Sequence, residues 1–339
     1  MNYYVRRVGQ ALLTLIVVIT ISFAMYRLLP SGPMQAIKNQ LLSQAADSGR
    51  AINEERLNRL VRMYVNIDPD KPIHLAYLDY LSSIVFEFDF GRSITYNEPV
   101  FDILFKAMPW SVFVSIYGLL LGFSSNVILG SMMAYREGSR FDKFFTSVAV
   151  LTTSVPYYVG AILMLSFLAF QWGLFPTGGR FNPSTNPGLN HAFMASVVRH
   201  GTLPILAGFI VGFGGGALGM RGNSIRVLGE DYLRVARLRG IGSTRLYTRY
   251  VARNAILPMY TSLMIGIAGI FSSGVIMERI FTYPGVGWYT FDALLKRDYP
   301  LLMGSFIFYT IITVIGIMLA DMTYGFVDPR ASSGDKESY

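Results

Sequence analysis

Residues 107–135 read AMPWSVFVSIYGLLLGFSSNVILGSMMAY and contain no Asp, Glu, Lys or Arg. About 20 apolar residues in a helix suffice to cross a bilayer, so this stretch predicts a membrane-spanning helix. The whole chain has 339 residues, of which 52% are hydrophobic and only 15% are charged. Soluble domains carry about 25% charged residues, so the composition excludes a soluble globular class and also a disordered one. The absence of cysteine excludes a fold held by disulfides.

Five further stretches meet the same test for a membrane-spanning helix. The first span could be a signal peptide, but its length and the lack of a small-residue cleavage site favour a retained helix. The helix of the third stretch is predicted to end near Trp172, because Gly and Pro residues follow. Residues 181–198 also lack charge, but their three Asn and two Pro residues predict a loop. The six predicted spans are 8–26, 107–135, 144–179, 200–220, 254–277 and 299–320.

Lysine and arginine are concentrated on one side of these spans. The loop between the fourth and fifth spans alone carries eight arginines, between residues 221 and 253. Basic residues in short loops mark the cytoplasmic side, so the pattern predicts a cytoplasmic N-terminus and a cytoplasmic C-terminus. The net charge of +8 is therefore a topological signal and does not indicate nucleic acid. Residues 30–106, with eight basic and ten acidic residues, then form a soluble-like external insertion.

The spans and loops predict one integral domain of four segments. Within the insertion, Asn53 caps a predicted helix over 53–64, and an amphipathic helix is predicted over 74–88. The segments are an N-terminal transmembrane helix (1–29), the extracellular insertion (30–106), a five-helix core (107–327) with a cytoplasmic loop at 221–256, and a cytoplasmic tail (328–339).

The cytoplasmic loop contains the sequence GEDYLRVARLRGIGSTRLYTRYVARNAILP at residues 229–258. A short helix is predicted over 231–239, because Glu230 and Asp231 suit a helix N-terminus and Gly240 can end the helix. A second helix, capped by a serine, is predicted to run from residue 244 toward residue 257.

Helical spacing makes specific predictions about the faces of the first helix. Small residues at Ala236 and Gly240 would let a partner approach closely, which is compatible with protein docking but does not favour it over the alternative. Binding of the arginines to anionic lipid headgroups is the alternative that residue chemistry leaves open. One face is predicted to hold Tyr232, Val235, Ala236 and Arg239, and another Leu233 and Arg237.

This loop resembles the coupling loop, or EAA motif, of the permease subunits of ABC importers. In that motif Glu-Ala-Ala is followed by three residues and Gly, whereas here Arg234 replaces the Glu and Val235 the first Ala. The departure is similar to the oligopeptide, dipeptide and nickel permeases of the first-subunit type. The residues that match their pattern are Asp231, Tyr232, Arg234, Ala236, Arg237, Gly240, Arg253, Asn254, Ala255 and Pro258.

Other parts of the chain resemble the same group in the same order. The first helix and its exit into Pro, the Gly-Arg-Ser element at 91–93 and the loop at 173–179 match its pattern. So do the stretch ERIFTYPGVGWYTFDALLKRDYPLL at 278–302 and the closing Asp-Pro-Arg at 328–330. Taken together, these elements identify the chain as a member of that group.

The resemblance implies an all-α integral membrane protein with six transmembrane helices and the type I ABC importer permease fold. Its implied partners are a second homologous permease, two cytoplasmic ATPase subunits, an extracellular solute-binding protein and membrane lipid, in a prokaryotic cell membrane. ATP and Mg²⁺ would be bound by the ATPase subunits. Glu278 and Arg279, at the external end of the fifth span, are weak candidates for binding-protein docking. The implied coupling residues are Glu230, Asp231, Tyr232, Arg234, Ala236, Arg237, Gly240, Arg253 and Asn254.

Several kinds of site are absent from the sequence. It has no Walker A motif and no HExxH motif, so no catalytic, nucleotide or metal site of its own is predicted. The leading cargo is peptide, with oligosaccharide or nickel as alternatives. A lipid-bound scaffold is the alternative from another class. An ion-driven carrier is disfavoured, because the central parts of the spans contain no Asp or Glu.

A few residues in the spans have two possible roles. The glycines between residues 212 and 219 predict close helix packing, with a flexible point near the pathway as the alternative. Pro156 could mark a hinge or only a tolerated kink. Arg27, Glu278 and Asp321 lie near helix ends, which favours snorkelling to the interface over a substrate role.

Overall fold

The computed structural model describes residues 3–28, 32–47, 49, 52–270 and 274–327. In this part of the chain the secondary structure is helical, and the only β-type pairing is an isolated bridge between Arg92 and Pro99. The prediction of an all-α class is confirmed.

Fifteen helices are described, and several of them continue into short π-helical segments. In chain order they are α1 Tyr3–Arg27, α2 Pro33–Asp47, α3 Glu54–Val65, α4 Ile73–Ser82 with a π-helical extension Ser83–Glu87, α5 Val100–Tyr135, α6 Arg140–Ser154, α7 Tyr157–Met164 with the extension Leu165–Gln171, α8 His191–Leu228, α9 Asp231–Leu238, α10 Ser243–Leu246 followed by the π-helical Tyr247–Val251, α11 Ala252–Ala255, α12 Leu257–Gly269, α13 Val275–Ile280, α14 Val286–Lys296 and α15 Tyr299–Val327.

Four of the described helices are long and apolar enough to cross a membrane, namely α1, α5, α8 and α15. They contain the first, second, fourth and sixth predicted spans. The third predicted span is broken, since α6 and α7 bend by 100° at Pro156, and the pair could form one more span. A proline disfavours helical geometry in the residue before it, and Val155 is accordingly extended. The fifth predicted span contains α12 and the first residues of α13, and residues 271–273 between these helices lie outside the described residues.

The fourth predicted span has different ends in the structure. Residues 191–198, predicted as loop, are the first turns of α8, so that prediction was wrong. Asn190 explains the helix start, because its side chain accepts a hydrogen bond from the Phe193 N–H at 2.9 Å. At the other end α8 continues to Leu228, so the first eight residues of the predicted loop 221–256 are helical.

The external insertion 30–106 is more helical than predicted. The expected helix over 53–64 is present as α3, and the Asn53 side chain caps it by accepting the Arg56 N–H at 3.0 Å. The predicted amphipathic helix is α4 with its π-helical extension. Sequence analysis missed α2, and α5 begins at Val100 rather than at 107. The helix α14, between the fifth and sixth predicted spans, was also not predicted.

The described helices group into two compact units. The terminal unit consists of Met1–Ser111 and Pro284–Thr323, and the central unit consists of Val112–Tyr283 and Tyr324–Tyr339. In the terminal unit the insertion shares one apolar core with α1, α14 and α15. Among its fully buried members are Ile19, Ile37, Val61, Ile84, Leu104 and Leu301.

A buried carboxylate joins two of the sequence motifs inside the terminal unit. Asp298 is fully buried, and its Oδ2 accepts hydrogen bonds from the Ser93 hydroxyl at 2.5 Å and the Thr95 N–H at 2.9 Å. Its Oδ1 accepts the Leu301 N–H at 3.2 Å, at the start of α15. The Gly-Arg-Ser element and the long motif 278–302 therefore form one structural joint.

Gly91 fits this joint for two reasons. Its φ of +85° lies in the left-handed region, which favours glycine. A Cβ at this position would also overlap the Tyr64 carbonyl oxygen, which accepts the Arg92 N–H at 2.8 Å.

A second polar link connects the same two motif regions. The Tyr96 hydroxyl donates to Asp292 Oδ2 at 2.6 Å, and Lys296 Nζ lies 2.8 Å from the same oxygen. Burial raises the pKa of the Tyr96 phenol above its usual value, and the hydrogen bond to Asp292 raises it further. Tyr96 therefore stays protonated and continues to donate this hydrogen bond.

Candidate functional site

The basic segment 229–258 begins with a short helix that ends sharply. As predicted, α9 begins at Asp231, and Gly240 follows its end with a φ of +71°. The Gly240 N–H donates to the Arg237 carbonyl at 3.0 Å, and the Ile241 N–H donates to the Ala236 carbonyl at 3.3 Å. These bonds satisfy carbonyls that the helix leaves open, and they need the left-handed residue at Gly240.

The inner side of α9 packs on residues of the same segment. Leu233 is fully buried and Ala236 is 6% exposed, and both belong to one small apolar core with Leu246, Tyr247 and Val251. The predicted face that combined Ala236 with exposed residues was therefore wrong. Ala236 faces this small core, so it does not offer a surface to a partner.

The outer side of α9 is apolar at its centre and basic around it. Leu238 is 82% exposed, Val235 is 48% exposed and Tyr232 is 42% exposed. Arg234 and Arg237 are also exposed on this helix. An exposed leucine on a rigid helix, surrounded by guanidinium groups, is a surface suited to docking.

The second part of the segment anchors this surface. The predicted helix from residue 244 is present, but the π-helical turn Tyr247–Val251 interrupts it. The Tyr247 hydroxyl donates to the Ser131 carbonyl of α5 at 2.6 Å in a buried position, and its ring lies 5.1 Å from that of Tyr135. These contacts fix the segment to the end of α5.

Two of the predicted site residues meet directly. Asn254 Nδ2 donates to the Tyr232 hydroxyl at 3.0 Å and to the Tyr250 carbonyl at 2.9 Å. Arg253 lies beside Asn254 and is exposed, and Glu230 and Asp231 are exposed at the start of α9. The nine predicted coupling residues thus belong to one folded segment, in which Ala236 is the buried member.

Sequence analysis missed an ion pair at the base of this region. Arg221 Nε and Nη2 donate to Asp142 Oδ1 and Oδ2 at 2.6 Å and 2.8 Å. Asp142 is 3% exposed, and it also accepts the Gly138 N–H at 3.0 Å. The pair joins the first turn of α6 to α8, seven residues before α8 ends.

One local signal for this pair was present in the sequence. Ser139 and Asp142 have the spacing of a capping box, and the Ser139 hydroxyl oxygen accepts the Asp142 N–H at 3.2 Å. That pattern could have marked Asp142 as a helix-start residue, but it does not name Arg221 as its partner.

The glycines of α8 include close-packing positions, as the sequence predicted. A Cβ at Gly214 would overlap the Ala149 carbonyl of α6, and one at Gly216 would overlap Asn126 of α5, so these glycines permit close packing. Gly212, Gly216 and Gly219 also line a cavity of about 400 Å³. A larger cavity of about 670 Å³ also lies in the central unit. Among the residues that line it are Ser115, Tyr157, Gly208, Gly266, Ile270 and Met277, and none of its described lining residues is charged.

Glu278 and Arg279 lie in the short helix α13. Glu278 is fully buried, which differs from the predicted snorkelling position, and Arg279 is half-buried. Their role in docking a binding protein stays a prediction. The side chain of Asp321 and residues 328–339, with the Asp-Pro-Arg motif, lie outside the described residues. In the described ranges, no three His, Cys, Asp or Glu side chains are grouped as a metal site would need.

Residues 126–333, more than half of the chain, match the family described as the binding-protein-dependent transport system inner membrane component. The chain belongs to this family. Membership confirms the predicted class, a helical multi-pass membrane permease of the type I ABC importer group.

Three relatives cover nearly the whole chain. The dipeptide transport system permease protein DppB of Bacillus subtilis (strain 168) is 28% identical over 97% of both chains. The protein of the same name from Lactococcus lactis subsp. cremoris (strain MG1363) is 29% identical over 97% of this chain and 98% of its own. The oligopeptide transport system permease protein AppB of Bacillus subtilis (strain 168) is 28% identical over the same shares.

Proposed function

We propose that this chain is a permease subunit of an ATP-driven importer of dipeptides and oligopeptides. The support is the similarity to three peptide permeases over 97% of the chain, which includes the external insertion as well as the spans. Oligosaccharide and nickel are the alternative cargoes, and none of these three relatives is named for them.

The main support for the coupling role is the way in which α9 is packed. Its inner residues Leu233 and Ala236 are held in a local core, so its outer surface is presented in a fixed orientation. Leu238, at 82% exposed, is the apolar centre of that surface. This surface fits a groove on a cytoplasmic ATPase subunit, where burial of the leucine would exclude water and the arginines would meet acidic side chains.

The remaining partners follow from the same proposal. A second permease completes the pathway, two ATPase subunits bind ATP with Mg²⁺, and an external binding protein delivers the peptide. Glu278 and Arg279 are candidates for contact with this binding protein. Both chain termini are placed in the cytoplasm, so that α9 is internal and the exposed loop residue Leu189 is external.

The coupling role is tested by Leu238→Asp in the assembled importer. Loss of a leucine side chain that is buried in a partner's groove costs about 2 kcal/mol of binding free energy. ATPase association should therefore weaken by roughly thirtyfold, and peptide uptake should fall with it. The control is Leu189→Asp, since Leu189 is 99% exposed and lies outside the proposed coupling surface. Copurification of ATPase subunits and uptake of a labelled dipeptide are measured for both. Unchanged association in Leu238→Asp would refute the coupling surface.

The orientation can be measured because the chain has no cysteine. Single-cysteine variants Leu189→Cys and Leu238→Cys, produced without the ATPase subunits that would cover residue 238, are treated with a membrane-impermeant maleimide in intact cells. We expect labelling at 189 alone, and labelling at 238 only after the cells are opened. The reverse pattern would invert the topology.

The cargo is tested by competition for uptake. We expect unlabelled di- and tripeptides to compete with the labelled dipeptide, and oligosaccharides or Ni²⁺ to have no effect. Competition by an oligosaccharide alone would replace the peptide assignment.

A further inference from the structure

The helix α4 and its π-helical extension, Ile73–Glu87, are apolar on two opposite sides. On the inner side Ala76, Tyr80 and Ile84 are at most 3% exposed and belong to the core of the terminal unit. On the outer side Leu78 is 57% exposed and Phe86 is 80% exposed. A helix that is apolar around most of its circumference is typical of a buried or membrane environment.

The inner side of α4 contacts the last two turns of the spanning helix α1. The Tyr77 hydroxyl lies 2.8 Å from Thr20 Oγ1, and the Tyr80 hydroxyl lies 3.2 Å from Ser22 Oγ. The Tyr77 ring is also 5.4 Å from that of Phe23. These α1 residues fall inside the apolar span Arg6–Arg27.

These contacts with α1 indicate how deep α4 lies in the membrane. A helix rises 1.5 Å per residue, so Thr20 lies about 10 Å from Arg27 along α1. Arg27, at the end of the span, donates to the Lys71 carbonyl at 3.1 Å, just before α4 begins. A helix packed beside Thr20 and Ser22 is therefore at the edge of the hydrocarbon layer, although the sequence pattern predicted a soluble-like insertion.

We propose that Ile73–Glu87 is an interfacial helix whose outer side is covered by lipid acyl chains of the leaflet in which α1 ends. Lipid is the occupant because the contacts with Thr20 and Ser22 hold this helix beside the membrane-spanning helix α1, which itself exposes apolar side chains such as Leu13, 62% exposed, and Ile21, 54% exposed. The polar groups of the helix fit the same placement. Lys71 and Asp79 form an ion pair at 2.5 Å, and Glu87 is exposed at the far end, where headgroups and water are available.

Aromatic residues next to the helix strengthen the inference. Phe88 is 49% exposed and Phe105 is 53% exposed, and both rings pack on Phe101, with centroids 5.6 Å and 5.5 Å away. Phenylalanine and leucine on the apolar side are typical of helices that lie in the membrane interface. Phe86 and Phe88 are thus two exposed rings at the end of the interfacial helix.

Two single-cysteine variants, Leu78→Cys and Phe86→Cys, test the proposal in the complete importer in phospholipid vesicles. Each carries a nitroxide spin label, and power saturation measures its access to oxygen, which is enriched in lipid, and to a water-soluble nickel chelate. Leu13→Cys on α1 is the lipid control, and Leu189→Cys is the water control. All four side chains are exposed, so the substitutions leave the core intact.

We expect labels at 78 and 86 to match the label at 13, with high access to oxygen and loss of access to the nickel chelate. Access to nickel equal to that at 189 would show a water-facing helix and overturn the proposal. Low access to both reagents would show that a protein partner covers the helix, which would also overturn it.

Discussion

The ion pair between Asp142 and Arg221 allows a quantitative prediction about the stability of the central unit. Asp142→Asn keeps the size of the side chain but removes the charge that faces the guanidinium. The variant weakens two charge-assisted hydrogen bonds, at 2.6 Å and 2.8 Å, and leaves Arg221 without its counter-ion. Breaking a buried pair costs 3–5 kcal/mol in general.

For this pair we expect the loss of unfolding free energy to be smaller than that range. The Asp142 side chain is 4% exposed, but the Arg221 side chain is 25% exposed, so water can partly solvate the guanidinium that remains. We therefore expect Asp142→Asn to lower the free energy of unfolding by about 2 kcal/mol. The double-mutant cycle with Arg221→Met should give a coupling energy of about the same size, because the two residues bond directly.

The assay is unfolding of the purified chain in mixed micelles titrated with a denaturing detergent, followed by the fluorescence of its three tryptophans. The matched control is a second ion pair of this protein, Glu55 and Arg59, whose side chains are 75% and 67% exposed. Its cycle, Glu55→Gln with Arg59→Met, should give less than about 0.5 kcal/mol, because water screens exposed pairs. Equal coupling energies for both pairs would refute the argument from burial.

Two further predictions concern glycines with positive φ. Gly91→Ala should destabilise the protein by more than about 2 kcal/mol in the same assay, because its Cβ would overlap the Tyr64 carbonyl. The control is Gly49→Ala, which also has a positive φ but no atom within 4 Å of the added Cβ, so it should cost less. Equal losses of stability in the two variants would remove the steric explanation. Gly240→Val should place a β-branched residue at a φ of +71°, at a local cost of about 1–2 kcal/mol, so coupled ATPase activity and uptake should fall while the amount of chain in the membrane is unchanged. Normal uptake in Gly240→Val, or an equal defect in the neighbouring control Gly242→Val, would contradict the coupling role of the α9 terminus.

The predictions that were confirmed depend on signals within a single stretch of sequence. Charge-free runs of at least 19 residues identified α1, α5 and α15, since the bilayer imposes a length and a composition on each span. The start of α3 followed from Asn53, because a cap acts on amides only a few residues away. The end of α9 at Gly240 followed from the same kind of local rule.

The features that were missed depend on contacts between distant residues. Asp142 and Arg221 are 79 residues apart, so the pattern around either one does not identify the other. Helical spacing gave the periodicity of α9, but only packing on Tyr247 and Val251 decided that Ala236 faces inward. The break at Pro156 was left open for a related reason, since neighbouring helices determine whether a proline kinks a span or breaks it.

The bond between Ser93 and Asp298 also sets an order of events during synthesis. The two residues are 205 positions apart, and the terminal unit needs both the first 111 residues and the segment after Tyr283. While the ribosome is still making the intervening spans, Ser93, Thr95 and the apolar faces of α2 and α3 have no α14 or α15 to pack against. Until α14 and α15 are synthesised, the insertion therefore lacks part of its apolar core and stays accessible to chaperones and proteases at the membrane surface.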